Sequence, residues 1–422
     1  MFATEDIKRR DLEGILGAAQ SAAAFAMEQA KRMFPQWRSV ELPYYTNERG
    51  KWVRPDRENR WTDWMDGFFG HQLWRFYRLT RDELWRQKAM AYTEPLAERR
   101  DDDTVHDLGF VIGKPFTEWL RFAREEDERQ HIRETLVSAG RTLIGERPGR
   151  TGTRRWYPVG RDEGYMRAFY QTVEGTPGEY LFIDEMMNVF LVYRAASLTT
   201  DPELRSRLTN MADTHCRTSL KYLLRGDGSV SQAAVFSMPS EERYRRFLRW
   251  DAPQGADPSG CWARAAAWAC CGFMEVFGLN ADRAYLDAAR SVARFFRARA
   301  PEDGVPPYDL SMTELAAGDA KDADCLAIVG VSCLRLARAT ESAVERRAFY
   351  QTFLGAIRTL SRAPYLVRET RQEDGVITLC TYNKPRGLGI NGATAFGDCY
   401  AVELFTEGAL VDAEEIYPYL SD

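Results

Sequence analysis

The sequence predicts an all-α chain folded as an (α/α)6 toroid, one domain over residues 1–422 with long loops on a single face. Three observations predict it. Six aromatic-rich helical segments recur along the chain. A second set of amphipathic, charged segments alternates with them. Short turns follow the first set, and long polar connections precede most of its members.

Residues 1–35 read as an amphipathic outer helix; acids before its apolar part make it unlike a signal peptide. The first inner segment runs from Trp61 (WTDWMDGFFGHQLWRFYR), and an outer segment follows from Leu79. The next inner segments begin at His106 (HDLGFVIGKPFTEWLRFA) and Ile183 (IDEMMNVFLVYRAA), each followed by an outer one, from Arg124 and from Leu198. The fourth and fifth begin at Cys261 (CWARAAAWACCGFMEVFG) and Asp322 (DADCLAIVGVSCLRLARA), with outer partners from Leu279 and Ala339; the sixth is GDCYAVELF from Gly397. Most outer segments open with Thr, Asp or Asn beside a charged first turn, the pattern of an N-cap.

Six hairpins in 422 residues come to about 70 residues each. That period is too long and irregular for an open solenoid, and terminal capping repeats are missing, so closure into a ring is expected. Five of the six inner segments carry an Asp at or near their start. If all six start at one end, those residues converge where helix N-termini present partial positive charge and unpaired N–H groups. The connections Pro35–Arg60, Arg147–Tyr180, Gly226–Gly260, Ala300–Lys321 and Arg371–Gly397 are expected to line a cleft there. Strand signals are few; the clearest flank Gly226–Ser231 and Gly375–Tyr382.

A net charge of −5 leaves no basic excess for phosphates, which excludes nucleic acid as the expected partner. The arginine-rich runs Arg243–Arg249 and Arg290–Arg299 read as solvated helix faces. No apolar run reaches 18 residues, so no membrane span is expected. Eight cysteines without a C-x-x-C pair read as buried free thiols in a reducing compartment, the cytoplasm. Of the four histidines, His131 and His215 lie in outer segments and are expected at the surface, so a multi-histidine metal site, and any cofactor, is not expected. Phosphate-binding, dinucleotide, nucleophile-elbow and zinc motifs are absent from the sequence. What remains is carboxylates and aromatics in loops, the equipment of carbohydrate chemistry.

Asp107 and Asp184 each sit at an inner-helix start, where an N-cap is the simplest reading. Asp184 lies in the apolar run YLFIDEMMNVF, where desolvation would raise its pKa toward that of a general acid. Arg264, within a helix of small and aromatic residues, needs an anion: either a neighbouring Asp or a substrate carboxylate. Trp262 and Trp268 are either core or a stacking wall.

Taken in order, WTDWMDGFFGHQLW, HDLGF, IDEMMN, DGS, QG-x6-WAR-x3-W, D-x5-I and GDCYAVEL resemble the unsaturated glucuronyl hydrolases of glycoside hydrolase family 88, from about Trp61 to Phe405. The resemblance implies an (α/α)6 barrel. It implies removal of the C4=C5 unsaturated uronic acid that polysaccharide lyases leave at a non-reducing end. By that likeness Asp184 is the general acid/base and Asp107 the second carboxylate, close enough to raise the pKa of Asp184. His106, Asn188, Gln232, Gln254, Trp262, Arg264 and Trp268 then line the sugar site. The implied partner is a small unsaturated uronic-acid oligosaccharide or glycoside, bound by a monomer or homodimer. The sequence departs from the family pattern at Gln232, where a His is usual, and at Ala265 and Ala266, where Gly and Gln are. Asn391 and Ala393 stand where Asp and Ser are usual, which points away from sulfated substrates. Two other readings stay open: a diverged ring enzyme (lyase, epimerase or natural-product tailoring enzyme) on a related sugar, and a binding toroid without catalysis.

Overall fold

Two kinds of helix alternate, and their side-chain patterns say where each sits. The structure, a computed structural model, describes residues 7–38, 40–56, 63–145, 156–168, 178–238, 244–312, 318–367 and 373–420. A first helix, α1 (Arg9–Met33), precedes five hairpins. These are α2 (Asp66–Thr80) with α3 (Glu83–Thr93), α4 (Lys114–Phe122) with α5 (Glu126–Leu143), and α6 (Val189–Leu198) with α7 (Pro202–Leu223). Then come α8 (Ala263–Asn280) with α9 (Arg283–Arg299), α10 (Ala323–Ala339) with α11 (Ala343–Leu360), and finally α12 (Ala395–Leu410).

The even-numbered helices are the inner ones. From Ala263 to Met274 every residue of α8 is buried, as is every residue of α10 from Ala323 to Leu334. A helix apolar on all sides must be surrounded by others. The odd-numbered helices bury one stripe; in α9 it is Tyr285, Leu286, Ala288, Ala289, Val292, Ala293 and Phe296. Side-chain caps start most of them: Asp82 accepts from Leu84 N, Asp201 from Glu203 N and Leu204 N, Asp282 from Ala284 N, and Ser342 from Glu345 N. Such caps contribute about 1 kcal/mol each.

The ring closes. α8 packs between α6 and α10, α10 reaches α12, and α12 returns to α2, which meets α4. α1 covers α12 from outside. Hairpin turns are short at one end, so all six inner helices start at the other, where the long connections lie. This is the expected (α/α)6 architecture.

The connections hold more strand than expected. β1 (Tyr45–Thr46) pairs with β2 (Trp52–Val53), and β3 (Trp156–Pro158) with β4 (Gly164–Met166), both antiparallel. β5 (Glu179–Phe182), β6 (Ala233–Phe236) and β7 (Phe247–Asp251) form an antiparallel sheet in that order, with Phe182 opposite Ala233. The two anticipated turns close only as isolated bridges, Leu224 with Val230 and Leu366 with Ile377. The run Arg243–Arg249 is not a helix face: its end lies on β7, and Arg243 is outside the described residues. Trp61 and Thr62 of the first inner segment also lie outside them. His215 is a second correction. It is fully buried beneath β4, its Nδ1 accepts from Met166 N (3.2 Å), and burial pushes its pKa down to about 3. All eight cysteines are free and buried. Among the described residues no helix is long and apolar enough to cross a membrane.

Gly67, in the first turn of α2, marks where the ring is tightest: a Cβ there would lie 2.1 Å from the Phe110 carbonyl oxygen and 2.7 Å from that of Val111. Gly14 in α1 has nothing within 4 Å of a Cβ. Gly67→Ala should therefore destabilise the protein by about 3 kcal/mol, whereas Gly14→Ala should stabilise it by up to about 1 kcal/mol. Chemical denaturation followed by far-ultraviolet circular dichroism reads both.

Candidate active site

The starts of α4 and α6 do not begin as ordinary helices. After Asp107 the backbone carbonyl accepts from Phe110 N (2.9 Å) and Val111 N (3.0 Å), and the chain widens into a π-helical turn, Gly109–Gly113, before α4. Such turns often mark functional sites. Asp184 lies in a 3-10 turn, Ile183–Met187, between β5 and α6. The cap positions of these turns and of α6 make no side-chain cap hydrogen bond. The residues at the cap positions are Leu108, Phe182 and Asn188, so both aspartates sit beside the caps.

One buried amide joins the two turns. Asn188 Nδ2 donates to Asp107 Oδ1 (3.1 Å) and to the Asp184 carbonyl (3.1 Å), while its Oδ1 accepts from Phe110 N (3.2 Å). Gly109 permits this approach, since a Cβ there would lie 2.5 Å from Asn188 Cα. Asn188 is fully buried and is not in the pocket wall. It holds Asp107 from behind the pocket wall.

The imidazole of His106 bridges the carboxylates. Its Nε2 stands 3.6 Å from Asp107 Oδ2 and 3.6 Å from Asp184 Oδ2. The donor atoms of all three side chains lie within 4.8 Å of one another. Phe182 stacks on the ring at 6.2 Å. Burial pushes the pKa of His106 down, but the carboxylates of Asp107, Asp184 and Glu185 outweigh it and raise it to about 9. The ring is thus an imidazolium at neutral pH. A protonated imidazole has no lone pair for a metal, so this donor set suits proton transfer better than a cation. The other close group of ligand types, Asp322, Asp324 and Cys325, is fully buried beside the Arg264 guanidinium.

Asp184 is less enclosed than its apolar run implies: its side chain is 30% exposed, against 5% for Asp107. It opens onto a pocket walled by Trp64, Phe110, Phe182, Trp262, Trp268 and Tyr382. Gln254, Pro253 and Arg264 complete the interior, and Asn383 and Arg386 reach it from the loop before α12. Trp262 Nε1 is buried with no acceptor among the described residues, a donor left for a ligand.

Arg264 has anions and dipoles of its own. It donates to the carbonyls of Thr381 (2.7 Å) and Tyr382 (2.6 Å), faces Asp322 at 3.9 Å, and lies over Trp262 and under Phe396. The neighbouring-Asp reading accounts for its burial, and the same side chain still borders the pocket. Gln232 does not. Its Oε1 accepts from Gln254 N (2.9 Å) and Gly255 N (3.3 Å), and its Nε2 donates to Gln254 Oε1 (3.0 Å). An amide can make all three bonds, so Gln232 holds the Gln254 loop in place. Ala265 and Ala266 are fully buried, and Asn391 accepts from Lys321 N (2.9 Å); none of them borders the pocket.

The remaining acids anchor loops. Asp66 pairs with Arg54 (2.9 Å) and Arg99 (3.3 Å), although burial still raises its pKa to about 6. Asp398 accepts from Val376 N and Ile377 N, and burial raises it to about 7. Trp64, Phe110 and Phe182 sit inside the quoted motifs yet were assigned no role from sequence. Tyr382, Asn383 and Arg386 fall in a connection expected to line the cleft, but nothing in their spacing marks them singly.

No family model matches the chain. It is 28% identical over 367 residues to an unsaturated glucuronyl hydrolase of Bacillus sp. (strain GL1), covering 86% of this chain and 89% of that one. It is 26% identical over 343 residues to another from Formosa agariphila, covering 81% and 78%. Among solved structures, a UGL variant with dGlcA-Glc-Rha-Glc superposes with a TM-score of 0.77 at 26% identity, over 92% of this chain and 95% of that one. The resemblance drawn from the motifs thus holds in sequence and in fold.

His106 gives the cluster a pH signature. Its pKa is raised from 6.5 to about 9, so its stabilisation is complete below pH 6.5 and is lost as the pH climbs through about 9. Thermal midpoints measured from pH 6 to 10 should fall across that window in the parent and lose that step in His106→Gln.

Proposed function

We propose that this protein is a glycoside hydrolase that hydrates the C4=C5 bond of an unsaturated uronic acid at the non-reducing end of an oligosaccharide or glycoside, and so releases it. The observation that carries the reading is the His106–Asp107–Asp184 cluster at the mouth of an aromatic pocket. Similarity to unsaturated glucuronyl hydrolases over more than 80% of the chain supports it.

Asp184 is the general acid/base. Its carboxylic acid gives a proton to C4, water adds its oxygen to C5, and the carboxylate takes the proton that water loses. The product is a hemiketal at C5. Its ring C–O bond breaks to leave a ketone, and C1 releases the leaving group as an alcohol and becomes an aldehyde. Asp184 ends as it began, so no covalent glycosyl-enzyme is needed, unlike the paired-carboxylate route of ordinary retaining glycosidases. Asp107 and the His106 ring stand beside Asp184 at the edge of the pocket. Trp262 and Trp268 offer flat apolar surface to the sugar, Trp262 Nε1 and Gln254 offer hydrogen bonds, and Arg264 and Arg386 offer positive charge to the uronate. The residues that depart from the family pattern lie outside the pocket wall, which favours this reading over a diverged reaction.

We take the protein to act as a monomer or homodimer. We take residues 1–422 as one catalytic domain, because α1 completes the ring against α12, and we place it in the cytoplasm, where eight buried thiols stay reduced.

Lyase-generated unsaturated disaccharides absorb ultraviolet light through the conjugated double bond. The protein should abolish that absorbance. Asp184→Asn should lower the rate by about a hundredfold or more while leaving the fold intact. No loss of absorbance with any such disaccharide, or an Asp184→Asn variant as active as the parent, would contradict the proposal.

A further inference from the structure

The six inner helices also end together. They surround a second cavity of about 460 Å³, on the side of the ring where most of them end. All six contribute to its wall, which is dominated by charge: seven lining side chains are Arg or Lys and four are Glu.

The glutamates are already committed. Glu275 holds Lys114 (2.7 Å) and Arg335 (3.3 Å), and Glu403 holds Arg335 (2.8 Å). Glu407 serves both Arg75 and Arg78, and Glu118 pairs with Arg121 (2.7 Å). Arg338 turns to Glu415 (2.7 Å), outside the cavity wall. Arg194 is left over. Among the described residues no carboxylate lies within 4.0 Å of it, and its Nε is buried without an acceptor. Burial and then the like charge of Arg121 hold its pKa below the usual arginine value, against the smaller opposing pull of Glu275 and Glu118, which pair with other cations.

Helix C-termini attract cations, but that effect is confined to the last turn. α6 ends at Leu198 with no base in its last turn, and Arg194 stands above it. The helix dipole therefore does not explain Arg194, and a half-buried cation facing another cation calls for an anion between them. Several donors at fixed positions favour a ligand with more than one negative oxygen.

We propose that this second cavity binds a small multivalent oxyanion, of the phosphate or polycarboxylate class, between Arg194 and Arg121. The site is separate from the hydrolytic pocket and does not depend on the reaction assigned to it.

Isothermal titration of the purified protein with inorganic phosphate, citrate and glucuronate, at ionic strength matched with sodium chloride, tests it. Phosphate or citrate should bind saturably and glucuronate should not. Arg194→Gln should weaken that binding by about tenfold or more. Arg121→Gln, at a side chain that is 52% exposed, should do the same. Hydrolysis of an unsaturated disaccharide should be unchanged in both variants. Absence of saturable binding to either multivalent anion, equal binding of glucuronate, or undiminished binding by both variants would overturn the proposal.

Discussion

Two carboxylates can stand side by side at the mouth of this ring because a buried imidazolium stands between them. Asp107 and Asp184 have oxygens within 4.8 Å of each other and of the His106 ring, with Asp107 buried and Asp184 partly exposed. Like charges at that range repel by several kcal/mol when screening is poor. The proton on His106 cancels that repulsion and is itself held by it, which is why the ring's pKa rises despite full burial. The surrounding structure serves this arrangement. Phe182 supports the ring face, Asn188 fixes Asp107 against the Asp184 turn, and the pairing of β5 with β6 sets the height from which Asp184 begins.

The same logic runs along the whole axis. At their N-termini, where helices present partial positive charge, the inner helices gather acids: Asp66, Asp107, Asp184, Asp322 and Asp398. Their C-terminal halves gather arginine: Arg75, Arg78, Arg121, Arg194, Arg335 and Arg338. Each end complements the helix dipoles. The two ends differ in what is left over. At the first, carboxylates exceed the cations beside them and one of them, Asp184, faces a pocket. At the second, cations exceed carboxylates and Arg194 has no partner.

Much of the fold was legible in the sequence because burial dictates composition. A helix enclosed on all sides, such as α8, must be small and aromatic throughout, and one exposed on a single side, such as α9, must alternate; both patterns are local and readable. The strands were not, because β5, β6 and β7 are four or five residues long and pair across wide separations, with nothing local to distinguish them from loop. The arginine run that ends on β7 at Arg249 was misread for that reason, and His215 was placed outside because an outer helix also has a covered face. In the site, Asp107, Asp184 and the tryptophans were visible as motifs. The directions of Asn188 and Gln232 were not. They follow from a π-helical turn and from a loop contact 22 residues away in sequence, neither of which any spacing rule encodes. Gln232 is instructive, since its departure from the family pattern concerns the support of the pocket rather than its lining.

The central claim is that Asp184 delivers the proton to C4 and draws one from the water that adds to C5. The most direct test is a crystal structure of Asp184→Asn with a bound unsaturated disaccharide. The expected result places the residue 184 side chain within about 3.5 Å of C4 or of the water over C5, with the uronate ring between Trp262 and the His106–Asp107 edge. A ring bound with its double bond facing away from residue 184, beyond the reach of one water, would contradict it.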